Sequence, residues 1–376
     1  MAKKKEAAVA TNGFQLATDM FKELVAKAFK GVGNNKLLPL TQLMCIQAEG
    51  GKLRIITTDS TGSDYLYLVK DNVPGQFYAT VMAEQFAKLI SKLTCEKVTL
   101  FIDNDKLKVE GNGSYVIPLQ YDEMGNAIQF PDPVAELGDA TEDTQTTTSS
   151  VVNTVINSIK PALATTFETP YLTGYYVGDR ILATDGYVMA CYDTKVLDTP
   201  AILQPTVFDM LALSDAEIIS IDRYEDGVIV FSAPDLILYS HEMEGVDDYP
   251  VDALTAFIEE DMESECKLPK SNLLQALDRL SLFVGTYDDN EVKLNFNDKV
   301  LNLASLTSTG VENVGYLEGA NAGEFSCGTD LLQLIKHIKT QSTDTVVLQY
   351  GEPNAIKLVD GKIIQILDLM STETEE

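Results

Sequence analysis

Apolar residues recur along this chain in two rhythms, one of about 3.6 residues and one of about two. Spacings of three and four predict short helices at 15–31, 84–97, 152–165, 206–214, 271–283 and 329–341. The first sets Met20, Leu24, Val25 and Ala28 on one arc, with Lys22, Lys27 and Lys30 largely off it. The second sets Phe86, Leu89, Ile90 and Leu93 against Lys88 and Lys92; the last sets Leu334, Ile335 and Ile338 against Lys336 and Lys339. Amphipathic helices of this kind cover one face of a sheet. Between them run β-rich segments such as LRIITTD (53–59), DYLYLVK (64–70), KVTLFID (97–103), GVIVFSA (227–233) and TVVLQY (345–350). Many are separated by two to five turn residues, YEDG and NDK among them, the spacing of antiparallel hairpins. Helices are too few for a parallel βαβ sheet, so the expected class is α+β with large antiparallel sheets.

The pattern also repeats. Around Phe86, Phe208 and Leu332, anchors 122 and 124 residues apart, the chain reads as a short helix, a polar break and β-rich runs. A period of roughly 120 residues is a whole domain, far longer than a solenoid unit. The expected organisation is therefore a first domain at 1–136, a polar linker at 137–150, a second domain at 151–258, a third at 259–370 and an acidic tail at 371–376.

Composition narrows the function. With 45% apolar residues in 376, each domain can bury an ordinary core. No stretch approaches the roughly 20 apolar residues of a membrane span, and the basic start MAKKKEAAVATNG lacks the apolar core of a secretory signal. Five scattered cysteines without a C-x-x-C spacing argue against a disulfide framework or a zinc site and for a reducing cytoplasm. The net charge of −29 speaks against gripping nucleic acid, because phosphate binding rests on lysine and arginine. The distribution of that charge points the other way. The six expected helices hold ten basic against seven acidic side chains, which leaves −32 for the rest of a chain of net charge −29.

A catalytic constellation is missing from the pattern. The two histidines, His241 and His337, stand in different repeats without a motif around either, and no P-loop, H-E-x-x-H, G-x-S-x-G or Rossmann glycine pattern occurs. Asp59 (TTDS) and Asp185 (ATDG) occupy equivalent places in repeats one and two, where an aspartate between strands is a turn former. Acidic clusters such as Asp247-Asp248 and Glu259-Glu260-Asp261 read as solvated loop charge rather than a metal site. A non-enzymatic protein without cofactor or metal is the expectation.

Four stretches resemble the bacterial sliding clamp, the β subunit of the DNA polymerase III holoenzyme. They are NKLLPLTQLMCIQAEGGKLRIITTD (35–59), TPYLTGYYVGDRILATDGYVMACYD (169–193), DDYPVDAL (247–254) and GKIIQILDLM (361–370). The resemblance runs from about Phe14 to Met370, and its most specific part is ATDG-x-x-x-A-C after Y-L-x-G. The polar linker, the acidic tail and the drifted motifs imply a divergent member, acting in a bacterial or virus-infected bacterial cytoplasm.

The resemblance implies three clamp domains per chain, each with antiparallel sheets outside and two helices lining a ring interior. Two chains would close head to tail around duplex DNA. Packing agrees with that count: six spheres of about 35 Å leave a hole of about 35 Å, whereas three leave roughly 5 Å. The implied DNA-channel residues are Lys22, Lys27, Lys30, Lys36, Lys88, Lys92, Lys160, Lys336 and Lys339. A replicative polymerase and a clamp loader would dock short peptides in a groove formed by Leu172, Thr184, Gly186, Tyr187, Val188, Met189, Pro250, Leu367, Leu369 and Met370. The homodimer would close through Tyr115 and Ile117 against Leu282 and Phe283. This chain departs from the family at Tyr187-Val188-Met189, where His-Arg-Leu is usual, at Asp368, where proline is usual, and in six residues past the usual end. Two competing readings are a repeat-built structural or interaction protein, such as a coat component, and an acidic metal-dependent hydrolase. Lysines sorted onto helix faces disfavour the first, and the poor histidine count disfavours the second.

Overall fold

The computed structural model describes residues 13–368, except 105, 123, 167, 285–289, 298, 306–308, 318–323 and 352–354. One order of elements recurs three times. The first pass runs β1 (Gly13–Ala17), α1 (Thr18–Phe29), β2 (Leu43–Glu49), β3 (Lys52–Thr58), β4 (Tyr65–Asp71), β5 (Phe77–Met82), α2 (Ala83–Ser91), β6 (Lys97–Asp103), β7 (Lys106–Glu110) and β8 (Ser114–Pro118). The second runs β9 (Gln145–Thr148), α3 (Ser149–Thr154), β10 (Tyr175–Val177), β11 (Ile181–Thr184), β12 (Val188–Tyr192), β13 (Ala201–Leu203), α4 (Pro205–Leu211), β14 (Ile218–Arg223), β15 (Val228–Ala233) and β16 (Leu236–His241). After α5 (Val251–Glu259) comes the third, β17 (Ser264–Pro269), α6 (Lys270–Leu280), β18 (Glu291–Phe296), β19 (Val300–Ser305), β20 (Val311–Gly315), β21 (Phe325–Asp330), α7 (Leu331–Thr340), β22 (Thr345–Gly351), β23 (Ala355–Asp360) and β24 (Ile363–Asp368).

Each pass is thus a strand, a helix and three strands, taken twice. Within a pass the leading strands exchange partners: β1 pairs with β6 and β5 with β2, β9 with β14 and β13 with β10, β17 with β22 and β21 with β18. All pairings are antiparallel, so the fold is α+β as the hairpin spacing predicts. Third strands then join one pass to the next. β4 pairs with β16 in the register Leu68↔Leu236 to Tyr65↔Tyr239, and β12 pairs with β24 from Val188↔Leu367 to Tyr192↔Ile363. The result is two sheets of eight strands and two of four.

Two compact units contain these sheets, one of residues 1–152 and 206–242, the other of 153–205 and 243–376. In the first unit α1 buries Phe21, Val25 and Ala28, while Met20 stays 41% exposed, so its apolar arc is rotated from the predicted one. Phe14, Phe21 and Phe86 meet edge to face with centroids 5.8 and 6.1 Å apart, the geometry aromatic quadrupoles favour. In the second unit α7 buries Leu331, Leu334, His337 and Ile338, and Phe296 stacks on Tyr350 at 3.7 Å.

Three local features differ from the sequence expectation. Residues 145–148, expected inside a linker, form strand β9 along β14, with Thr147 buried; β-branched threonines suit a pleated surface despite their polarity. The helix expected at 152–165 is α-helical only to Thr154, then widens to a π turn (Val155–Ile159) and tightens to a 3-10 turn (Lys160–Ala162). Pro161 ends it, because proline removes a donor and fixes φ. Helix α5 was not predicted. It lies after Pro250, and Lys357 from β23 donates to the carbonyls of Ile258 (3.2 Å) and Glu260 at its end, where orphan carbonyls favour a cation.

Candidate functional site

Two surfaces and two strand edges carry the expected functional residues. On the helices of the first unit, Lys22, Lys36 and Lys88 stand around an open cleft of about 700 Å³, lined below by Val25, Phe29, Met82 and Ala87. Lys30 and Lys92 sit at the C-caps of α1 and α2, where the last carbonyls favour positive charge. Lys27 differs from the expectation. It is held by Asp215 at 2.8 Å and Glu23 at 3.2 Å, so its charge is compensated within the protein. Burial works against that charge, but the hydrogen bonds to both carboxylates outweigh it and raise the pKa. Lys88 bonds Glu84 at 2.5 Å in an exposed i,i+4 pair, a restraint that solvent screening weakens. In the second unit Lys336 donates to the Pro161 carbonyl at 2.5 Å, Lys339 is exposed, and Lys160 lies in the 3-10 turn. Within observed bounds the seven α-helices among the described residues balance seven basic with seven acidic side chains, so the +3 expected for the helices arises only when the C-cap and turn lysines are counted with them.

The expected groove lies in the second unit, where strand pairing decides which residues share a face. Leu367 stands opposite Val188 and Ile366 opposite Met189. Gln365, on the Leu367 side, bonds the Ser158 carbonyl at 2.7 Å and Thr340 Oγ1 at 2.9 Å, so that side faces the α7 and π-turn segments. Val188 and Leu367 therefore look away from the groove. The other side carries Met189, Ile366, Leu182 and Ile202 in one apolar cluster, with Leu172, Tyr176, Val246, Val251 and Ile364 packed against it. Thr184 and Gly186 build the turn rather than line a surface: Thr184 donates to the Val188 carbonyl at 2.8 Å, and Gly186 adopts φ +95°. Tyr187 at its tip is 76% exposed, and Pro250 lines a cleft beside Tyr176 and Tyr249. Leu369 and Met370 lie outside the described residues. Ile364, Ile366, Tyr176 and the α5 residues were missed, and only the register could have found them.

The expected dimer residues flank two unpaired edges. Four third strands, β4, β16, β12 and β24, are joined in pairs, whereas β8 and β20 have no partner on their outer side among the described residues. On β8, Val116 is 53% exposed and Tyr115 half-buried, but Ile117 points into its own core at 3%. Beside β20, Leu282 and Phe283 are exposed, with the Phe283 ring packed over Gly310.

The acidic and thiol groups show structural roles. Asp59 accepts from the backbone N–H of Thr61, Ser63 and Asp64, and Asp185 from those of Tyr187 and Val188, so both aspartates hold turns. Burial pushes the thiols of Cys45, Cys191, Cys266 and Cys327 up to about 12, far from the thiolate a nucleophile needs.

No protein-family model and no curated protein matches the sequence. Solved structures do match the fold. The DNA polymerase sliding clamp of Bacillus subtilis aligns at TM-score 0.80 and 18% identity, over 96% of this chain and 100% of that one. The DNA polymerase β subunit of Streptococcus pyogenes gives 0.81 at 16% identity, with the same coverage. The sliding clamp of Bartonella birtlesii, bound to griselimycin, gives 0.77 at 17%, again over 96% and 100%. The fold is accordingly that of a DNA clamp. More narrowly, it is similar over nearly the whole chain to the bacterial DNA polymerase III β subunits.

Proposed function

We propose that this chain is a DNA polymerase processivity factor, a non-enzymatic sliding clamp whose two copies close head to tail around duplex DNA. The observation that carries the reading is the pair of unmatched edges. Every other third strand joins its counterpart in another pass, so β8 of one copy and β20 of a second are the natural remaining pair. Pairing them hides two edges that would otherwise template aggregation, and head-to-tail contacts that close make a ring. Val116 and Tyr115 on one side, and Leu282 and Phe283 on the other, supply the apolar contact. The three passes act as three domains per chain, six per ring.

A closed ring stays on DNA by topology and needs little adhesion. Lysines at the surface, with exposed Lys30, Lys36, Lys88, Lys92 and Lys339 and half-buried Lys22 foremost, contact phosphates without reading sequence. The surplus of carboxylates elsewhere repels DNA from other surfaces. The half-buried rim of the apolar cluster, Leu172, Tyr176, Val246, Val251 and Ile364 over buried Met189 and Ile366, docks short peptides of a replicative polymerase and of a clamp loader in a bacterial-type cytoplasm. The test is retention on nicked circular DNA after loading. The ring should persist on the circle and leave once the circle is cut; equal loss from both forms refutes topological binding.

A further inference from the structure

We propose that the cleft between Tyr176 and helix α5 receives a lysine or arginine side chain of the partner peptide, which makes the docking site selective for cationic sequences. The proposal rests on the peptide-docking reading above and names the chemistry of the occupant. The cleft, about 570 Å³, is lined by Tyr176, Pro200, Tyr249, Pro250, Asp247 and Asp252 among others, and no lysine or arginine lines it.

Two features favour a cation there. The first is aromatic. Tyr249 packs against Tyr176 and Tyr171 with ring centroids 5.4 and 6.2 Å away, and ring faces attract guanidinium and ammonium groups. Tyr249 is buried and its hydroxyl is spent on the Leu182 carbonyl at 3.3 Å, so it backs the half-buried Tyr176 ring, which is the aromatic feature open to a ligand. The second is charge. Asp179 nearby is answered by Lys195 at 3.1 Å, whereas Asp247 and Asp252 are exposed and have no ion-pair partner among the described residues. Burial, then the fields of Asp179 and Asp252, raise the pKa of the Tyr176 phenol, so those carboxylates act on the cleft wall itself.

The cleft shares walls with the apolar cluster of the expected groove. Tyr176, Tyr249, Val246 and Val251 belong to the apolar cluster that holds Met189 and Ile366. A peptide that seats its apolar anchors on the half-buried rim of that cluster, such as Leu172 and Ile364, brings a flanking residue to the carboxylates. An acidic flank would meet the exposed carboxylates of Asp247 and Asp252.

Fluorescence anisotropy with labelled nonapeptides tests this. Each carries one leucine and one phenylalanine anchor, flanked by lysines, alanines or glutamates. The lysine-flanked peptide should bind about tenfold more tightly than the alanine-flanked one, the sum of one cation–π contact and exposed ion pairs. The glutamate-flanked peptide should bind most weakly. Asp247→Asn with Asp252→Asn should bring the three within about twofold, while Asp143→Asn with Glu225→Gln, which removes the same charge from the other unit, should leave the preference intact. Equal affinities in the unaltered protein, a preference for glutamate, no binding by any peptide, or equal loss of preference in both double variants each overturns the proposal. Retention on circular DNA is measured in parallel. Failure there defeats the clamp reading, whereas intact retention with any of the contrary peptide results defeats this inference alone.

Discussion

Asp64 ties the first pass to the second at their sheet joint. Its carboxylate accepts from Ser240 Oγ at 2.7 Å and from the His241 backbone N–H at 3.2 Å, across the joint where β4 meets β16. Ser240 is fully buried, so Asp64→Ala strands its hydroxyl as well as the N–H. We expect a loss of about 1–3 kcal/mol in urea unfolding, with Asp64→Asn milder because it still accepts. Despite the Ser-Asp-His composition the group is no hydrolytic triad: Ser240 donates to the aspartate instead of to the histidine and cannot reach solvent. His337 offers a second residue-scale test. It is fully buried on α7, and burial, then the nearby Lys336 charge, lowers its pKa to about 4 from 6.5. Because the unfolded chain takes up this proton at higher pH than the folded one, the stability from neutral His337 is whole above about 6.5 and fades as pH falls towards 4. Unfolding free energy should drop between pH 7 and 5 by about 2 kcal/mol more in the unaltered protein than in His337→Phe, read from urea midpoints at both values.

At the scale of elements, α5 borders both the apolar cluster and the cleft proposed to take a cation, and it is secured from outside itself. Lys357→Met should free its C-terminal turn, raise amide exchange there and weaken peptide binding severalfold, with secondary structure elsewhere unchanged; unaltered exchange would contradict that role. The edges give a sharper case. Leu282 is 81% exposed, so Leu282→Asp costs the single chain little but places a charge in the proposed contact. The dimer dissociation constant should rise at least about tenfold, measured by sedimentation. The strands and most helices were legible because period two and period 3.6 survive in single sequence. What stayed hidden depended on distant partners. Helix α5 shows barely two turns of pattern and draws on Lys357, far along the chain. Strand β9 looked like linker because its threonines are polar. Val188 and Leu367 seemed groove residues until the β12–β24 register put them on the helix-covered face, since a pleat assigns faces only once pairing is known. Lys27 was legible as a lysine, but Asp215, which neutralises it, comes from another pass.

For the whole molecule, a threefold recurrence of elements, two fused sheet joints and, among the described residues, two third strands without a counterpart support the proposal that the chain completes itself with a second copy. The charge pattern fits the proposed ring, which must not adhere. A net −29 leaves only modest local positive surface on the helices, which suits sliding better than gripping. Replacing Lys22, Lys36 and Lys88 together by glutamine should therefore shorten retention on linear DNA with blocked ends only modestly, but should flatten the salt dependence of DNA contact. The measurement nearest the central claim is sedimentation equilibrium of the purified chain at micromolar concentration. Closure through β8 and β20 predicts particles of two chains that fall to one when Leu282→Asp is introduced. A single-chain particle for the unaltered protein, or a two-chain particle indifferent to that substitution, would contradict it.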